Sequence, residues 1–195
     1  MPDGGFLLNE EELSAYHEAG HIVLAAYYGL HCNGVTLSSP DYDGTIQMDY
    51  GRVPVLLVAS IYSFGESPEL FLASANGIDR EWLLNFVKTL AMILAAGGAA
   101  ELVLRNRNIR HNQAEHLELA GPDLIRLQSI DLLLRTLSGE HPENYIEGLV
   151  QRVYDLIDHY FWPAVDRLGQ EILSQRTLSR DQIQSVLSEF PAMFS

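Results

Sequence analysis

The residues best suited to chemistry in this chain form one pentapeptide, His17-Glu18-Ala19-Gly20-His21. Two histidines four residues apart lie one above the other on a helix face, so both imidazoles can bind one metal ion, most often Zn²⁺. Glu18 projects about 100° around the helix from His17, beside the metal and not onto it. A carboxylate placed there can take a proton from a metal-bound water. The pattern therefore predicts a zinc site with Glu18 as general base, as in metalloproteases.

The flanking residues predict the helix that this site needs. Asn9 followed three residues later by Glu12 has the form of a capping box, with Asn9 as the N-cap. Gly29 is suited to end the helix. Apolar side chains recur at helical spacing in between, at Leu13, Tyr16, Leu24 and Tyr27. We therefore expect both histidines mid-helix, and a fortuitous pattern on a plain helical domain is the weaker alternative.

Composition and charge restrict the classes of function. An apolar content of 47% with 19% charged residues is typical of a globular protein. The chain has 26 acidic against 12 basic residues, a net charge of −14 that repels phosphate, so nucleic acid and acidic membrane surfaces are not expected partners. A single cysteine, Cys32, excludes an intramolecular disulfide and a cysteine-based zinc ribbon.

The same sequence predicts a soluble, cytoplasmic protein. The first residues lack the basic and apolar regions of a secretory signal. The most apolar stretch, Thr89 to Ala100, has about 12 residues, whereas a membrane-spanning helix needs roughly 20. We therefore expect no membrane insertion.

The remaining patterns predict a mainly helical fold with a small β element. Two alternating segments around a turn-forming stretch, 39–44, predict a β-hairpin directly after the metal helix. Its open edge could bind an extended peptide, or the hairpin could only cover the core. The apolar run 55–62 is expected to form a buried helix, with a strand as the alternative. Further helices are predicted at 79–104, from 122, at 142–160, at 163–175 and from 179, where Ser179 and Gln182 form a second capping box.

A catalytic zinc needs a third protein ligand and keeps its fourth position for water. Spacing alone offers Glu101, His111, His116 and Asp123, among many other carboxylates, and it does not separate them well. Asp123 also has a purely structural explanation, because a carboxylate in the first turn of a helix interacts favourably with the helix dipole.

Several segments of the chain resemble one known family. Residues 15–21, Ala-Tyr-His-Glu-Ala-Gly-His, are similar to the active-site helix of the FtsH-type zinc metalloproteases, the peptidase part of the ATP-dependent AAA proteases. Other similar segments follow in the family's order over most of residues 13 to 190. They are Val35-Thr36-Leu37 with Gly44-Thr45, the glycine-rich segment within Leu94 to Leu102, Gly121-Pro122-Asp123-Leu124, and Arg176-Thr177-Leu178 before the closing helix.

The resemblance implies one zincin-like, FtsH-like peptidase domain over residues 1–195, with its core at about 10–190. It implies that Asp123 is the third zinc ligand and that Glu101 is a nearby acid outside the ligand set. The chain also departs from the family. It has no phosphate-binding glycine-rich loop, so we expect neither the ATPase module nor the membrane helices of the family. Ala99 replaces an arginine, the segment Tyr50 to Asp79 is expanded, and Pro122 shortens the approach to the third ligand.

These observations predict a zinc metallopeptidase that cleaves short or unfolded polypeptides without ATP. His17, His21 and Asp123 hold the metal and Glu18 is the general base. A separate ATPase or an FtsH-type protein is the expected partner for delivering folded substrates, and a homo-oligomer is left open. The alternative from another class is a non-proteolytic, zinc-binding interaction or regulatory module, against which the presence of Glu18 argues.

Overall fold

The helix that carries the pentapeptide, α1 (Glu10–Tyr27), is capped at both ends, as its sequence predicts. The Asn9 side chain accepts a hydrogen bond from the Glu12 backbone N–H at 2.7 Å, and the Glu12 side chain accepts one from the Asn9 N–H. At the other end Gly29 adopts a φ of 75°. The backbone N–H groups of residues 29 and 30 bond back to Ala26 and Ala25, a Schellman motif. The capping box and the glycine end are both confirmed.

The computed structural model describes residues 8–37, 44–49, 75–108, 122–138 and 145–194. After α1 its helices are α2 (Arg80–Asn108), α3 (Pro122–Ser138), α4 (Tyr145–Leu156), α5 (Trp162–Gln175) and α6 (Arg180–Leu187). Its strands are β1 (His31–Leu37), β2 (Gly44–Asp49) and β3 (Thr177–Ser179). A π-helical turn, Ile157–Phe161, joins α4 to α5, and a 3-10 turn, Pro191–Met193, follows α6. The predicted fold class, one mainly helical domain with a small antiparallel sheet, is confirmed.

The core is built around the contact of α1 with α2, and α5 packs on α1 as well. The two helices approach closely because small residues meet there. A Cβ added to Gly20 would lie 2.4 Å from the backbone oxygen of Ala96 and 2.8 Å from the Cβ of Ala100. The glycine- and alanine-rich part of α2 therefore packs tightly on α1. This close approach brings the backbone of α2 up to the pentapeptide.

The sheet lies beside this helical core, with strand order β2-β1-β3 and both neighbours antiparallel to β1. Val35 in the central strand pairs with Ile46 on one side and with Leu178 on the other. The predicted pairing of the first two strands is confirmed, while most of the predicted turn lies outside the described residues. Strand β3 was not predicted, because three residues are too few to show a strand periodicity.

Helix α2 is longer than the apolar stretch singled out in the sequence. Over Arg80–Arg107 it contains an 18-residue window long and apolar enough to cross a membrane, and 78% of that window is buried inside the protein. Thr89 to Ala100 is therefore only part of an apolar helix that is long enough to span a membrane. The apolar side chains of α2 are those of a core helix, because α2 packs against α1, α3 and α4.

The predicted break between two helices near residue 161 is absent, because helical backbone continues from α4 through the π-helical turn into α5. Pro163 lies in the first turn of α5 and has no backbone N–H to donate, which fits a widened turn directly before it. The prediction of a helix starting at residue 122 is confirmed. The predictions for the run 55–62 and for the start of a helix at 142 fall outside the described residues.

Candidate metal centre

Three side-chain atoms from two helices converge on one point. Nε2 of His17 and Nε2 of His21, one turn apart on α1, lie 3.0 Å from each other. Oδ2 of Asp123, in the first turn of α3, lies 3.0 Å from each of these nitrogens. Ligands at 2.0–2.2 Å from a tetrahedral zinc are about 3.3–3.5 Å apart, so this triangle needs only a small expansion to hold one ion. Among the described residues, this is the one group of histidine and acidic side chains with such geometry.

The structure separates two of the four candidates for a third ligand. It places Asp123 beside the two histidines, and it places Glu101 behind His17, with Oε1 2.6 Å from Nδ1 of that ring. His111 and His116 lie outside the described residues. The proposal drawn from the family resemblance, Asp123 as ligand with Glu101 outside the ligand set, agrees with this placement.

The hydrogen bonds of the two Nδ1 atoms, the outer ring nitrogens, determine whether the Nε2 atoms that face the cluster carry a hydrogen or a lone pair. Nδ1 of His21 lies 2.7 Å from the backbone oxygen of Ile93, which can only accept, so this nitrogen carries a hydrogen. The carboxylate of Glu101 likewise accepts from Nδ1 of His17. In neutral rings both Nε2 atoms therefore present lone pairs, and Asp123 adds a third. Three lone pairs about 3 Å apart repel one another unless a proton or a metal cation lies among them.

The pKa shifts of His17 and Asp123 also indicate that the cluster favours a positive charge. Burial lowers the pKa of His17, but hydrogen bonds to Asp123 and Glu101 outweigh burial and raise the pKa to about 10. Burial raises the pKa of Asp123, but hydrogen bonds to His17 and His21 hold that pKa well below its usual range. The cluster therefore favours a positive charge at its centre, and any metal ion that bound there would have to displace a proton from it.

Gly97 of α2 leaves the space in which the histidines meet. A Cβ on this residue would lie only 2.5 Å from Nε2 of both His17 and His21. The sequence signal was visible, because two adjacent glycines in a helix interior cost roughly 1 kcal/mol each. From the sequence alone, close packing against another helix is enough to explain that cost. In the structure Gly20 serves the packing of the two helices, whereas Gly97 leaves room at the site.

Glu18 follows His17 on α1 and is buried, with 7% of its surface exposed. Its negative charge contributes to the raised pKa of His17, so it acts on the same cluster. The side chain of His17 is 25% exposed, while those of His21 and Asp123 are 10% and 11% exposed. Solvent therefore reaches the cluster mainly beside His17, the residue next to the predicted general base.

Contacts of Tyr16, the residue before His17, hold α1 against α5. The Tyr16 hydroxyl donates to Oδ1 of Asp166 at 2.6 Å, and its ring stacks on Trp162 at 5.7 Å between centroids. Burial and the Asp166 carboxylate raise the pKa of Tyr16, so it stays a neutral donor. Arg107 of α2 lies over the Trp162 ring at 4.9 Å. These contacts connect α1, α2 and α5 one residue away from His17.

Comparison with protein families and curated proteins assigns no family to this chain. No protein-family model matches the chain, and no curated protein matches it at a significant level. What the fold and the site define is a mainly helical protein with a His-His-Asp cluster suited to a metal ion.

Proposed function

We propose that this chain is a zinc-dependent peptidase that hydrolyses short or unfolded polypeptides without itself using ATP. The observation that carries the proposal is the convergence of His17, His21 and Asp123 within 3.0 Å of one another, with both histidines on the helix that also carries Glu18. Two imidazoles and one carboxylate are a ligand set that Zn²⁺ uses in catalytic sites. The resemblance of residues 15–21 to the FtsH-type peptidases supports the same function.

The arrangement of the side chains around this point is suited to a zinc ion. Three lone pairs face one point, Gly97 leaves the space open on the side of α2, and the outer ring nitrogens are held as donors. Zinc held there by three protein ligands would supply a Lewis acid and lower the pKa of a water to about 7.

The chain's own groups supply the rest of the proposed chemistry. Glu18 accepts a proton from the attacking water and delivers it to the amine that leaves. Glu101 and the Ile93 carbonyl fix the orientation and tautomer of the two rings, as outer partners of metal-bound histidines commonly do. Because the side of His17 is the more exposed one, we expect the peptide to approach from there.

The proposed substrates follow from what the chain carries. These 195 residues contain no phosphate-binding loop, and we propose that this domain acts by itself on polypeptides that are short or already unfolded. A separate ATPase or an FtsH-type protein is the proposed partner for folded substrates. The net charge of −14 supports a protein that binds no nucleic acid. The burial of α2 supports a soluble protein, and a cytoplasmic location is part of the same proposal.

The test uses Glu18→Gln, which keeps the size of the side chain and loses the base. Cleavage of casein without ATP should fall by roughly 10²–10⁴-fold, the usual contribution of a positioned base. Zinc content, measured by elemental analysis, should stay at about one ion per chain, as expected for a site with three protein ligands. Glu10→Gln is the matched control, because Glu10 is an exposed glutamate at the start of the same helix; it should leave both measurements unchanged.

Two results would count against the enzyme. Wild-type protein that holds zinc and cleaves nothing, alone or with candidate ATPase partners, would favour the non-proteolytic interaction module. Cleavage that persists in Glu18→Gln would show that another group, or a contaminant, performs the hydrolysis.

A further inference from the structure

The two oxygens of the Asp123 carboxylate face different partners. Oδ2 lies 3.0 Å from Nε2 of both His17 and His21. Oδ1 accepts a hydrogen bond of 2.9 Å from Nη1 of Arg126, which follows three residues later on α3. The carboxylate is mostly buried, whereas the arginine side chain is 47% exposed. Arg126 therefore reaches the cluster from the surface and touches the oxygen that points away from the histidines.

A carboxylate can bind a metal through one oxygen or through both. A charged hydrogen bond to Oδ1 occupies that oxygen and opposes rotation of the carboxylate. We propose that Arg126 is a positioning residue that holds Asp123 as a one-oxygen ligand, which keeps the metal four-coordinate with a single open position. This inference rests on the proposed zinc site and adds a residue that neither the motif nor the family resemblance indicates.

An arginine three or four residues from an aspartate is a common pair on a helix surface, and α3 supplies an internal comparison. Arg135 bonds to Asp131 at 2.8 Å with 42% of its side chain exposed, and this pair lies two turns or more further along the helix. The two arginines have the same chemistry and similar exposure. Only the carboxylate held by Arg126 belongs to the cluster.

The experiment compares wild type, Arg126→Gln, Arg126→Lys and, as the matched control, Arg135→Gln. Zinc affinity is measured by competition with a chromophoric chelator, and Co²⁺ is substituted to report the coordination number through its visible absorption. Arg126→Gln should weaken zinc binding about 10–100-fold, the usual cost of losing an outer partner of a ligand. Its Co²⁺ bands should lose intensity as the second oxygen joins the metal. Arg135→Gln should match wild type, and Arg126→Lys, which still donates a charged hydrogen bond, should keep the four-coordinate spectrum.

A merely structural role for Arg126 would change thermal unfolding in the presence of a chelator to a similar extent in both glutamine variants, and would leave the Co²⁺ spectrum alone. Wild-type affinity and spectrum in Arg126→Gln would overturn the inference, as would the same loss in Arg135→Gln. Wild type that binds zinc but cleaves no peptide would refute only the peptidase, since the metal measurements still decide on Arg126. Wild type that binds neither Zn²⁺ nor Co²⁺ would overturn both proposals.

Discussion

A single methyl group at position 97 is expected to remove the metal site while leaving the fold in place. In Gly97→Ala the new Cβ would lie 2.5 Å from Nε2 of both His17 and His21. Ordinary contact begins at 3.4 Å, so each ring has to withdraw by about 0.9 Å. Metal–ligand distances tolerate deviations of only about 0.2 Å. The displacement is several times larger, and it affects two of the three proposed ligands at once.

The expected loss of zinc affinity therefore exceeds the roughly 10–100-fold cost of losing one outer partner. The effect on folding should be smaller. Alanine is favoured over glycine in a helix by up to about 1 kcal/mol, while crowding a packed site costs typically 1–3 kcal/mol. We expect the free energy of unfolding of the metal-free variant to fall by about 2 kcal/mol or less.

Zinc retained after dialysis is measured by elemental analysis, affinity by chelator competition, and stability by thermal unfolding with a chelator present. Gly148→Ala is the matched control, since Gly148 lies in α4 and an added Cβ meets nothing within 4 Å. It should bind zinc like wild type and unfold at the same or a higher temperature. Zinc bound by Gly97→Ala with wild-type affinity would refute the argument that the backbone of α2 limits the site.

Two further predictions concern the ligands and the proton they share. His21→Ala should lose stoichiometric zinc, because the remaining His17 and Asp123 offer too few ligands for a tight site; a stoichiometric metal in this variant, by elemental analysis, would contradict the assignment. The pKa of His17 is raised from 6.5 to about 10, so at neutral pH a metal ion displaces one proton. Zinc affinity should therefore rise about tenfold per pH unit between roughly pH 6 and pH 8, and a flat profile in chelator competition would count against this. The free energy of unfolding of the metal-free protein should change with pH in the opposite direction. With a chelator present, the raised pKa of His17 stabilises the fold fully below about pH 6.5, and this stabilisation is lost as the pH rises towards 10.

The local features of this protein could be predicted from the sequence because each depends on residues within a few positions of one another. The capping box at Asn9, the glycine end at Gly29 and the placement of His17 and His21 on one face of α1 all follow from short-range backbone geometry. The hairpin strands and the start of α3 at its proline were predictable for the same reason. The fold class follows from these elements, since each periodic segment has to bury its apolar face.

The site as a whole was decided by tertiary structure. Asp123 lies 106 residues from His17, and only the packing of α1 and α3 on α2 brings the two within 3.0 Å of each other. The Ile93 carbonyl, which fixes the His21 tautomer, is a backbone atom and leaves no sequence signal. Gly97 was visible as a costly residue, but its function depends on which side chains face it across the helix contact. Local patterns specify the conformation of a segment, whereas these contacts depend on the positions of several segments at once.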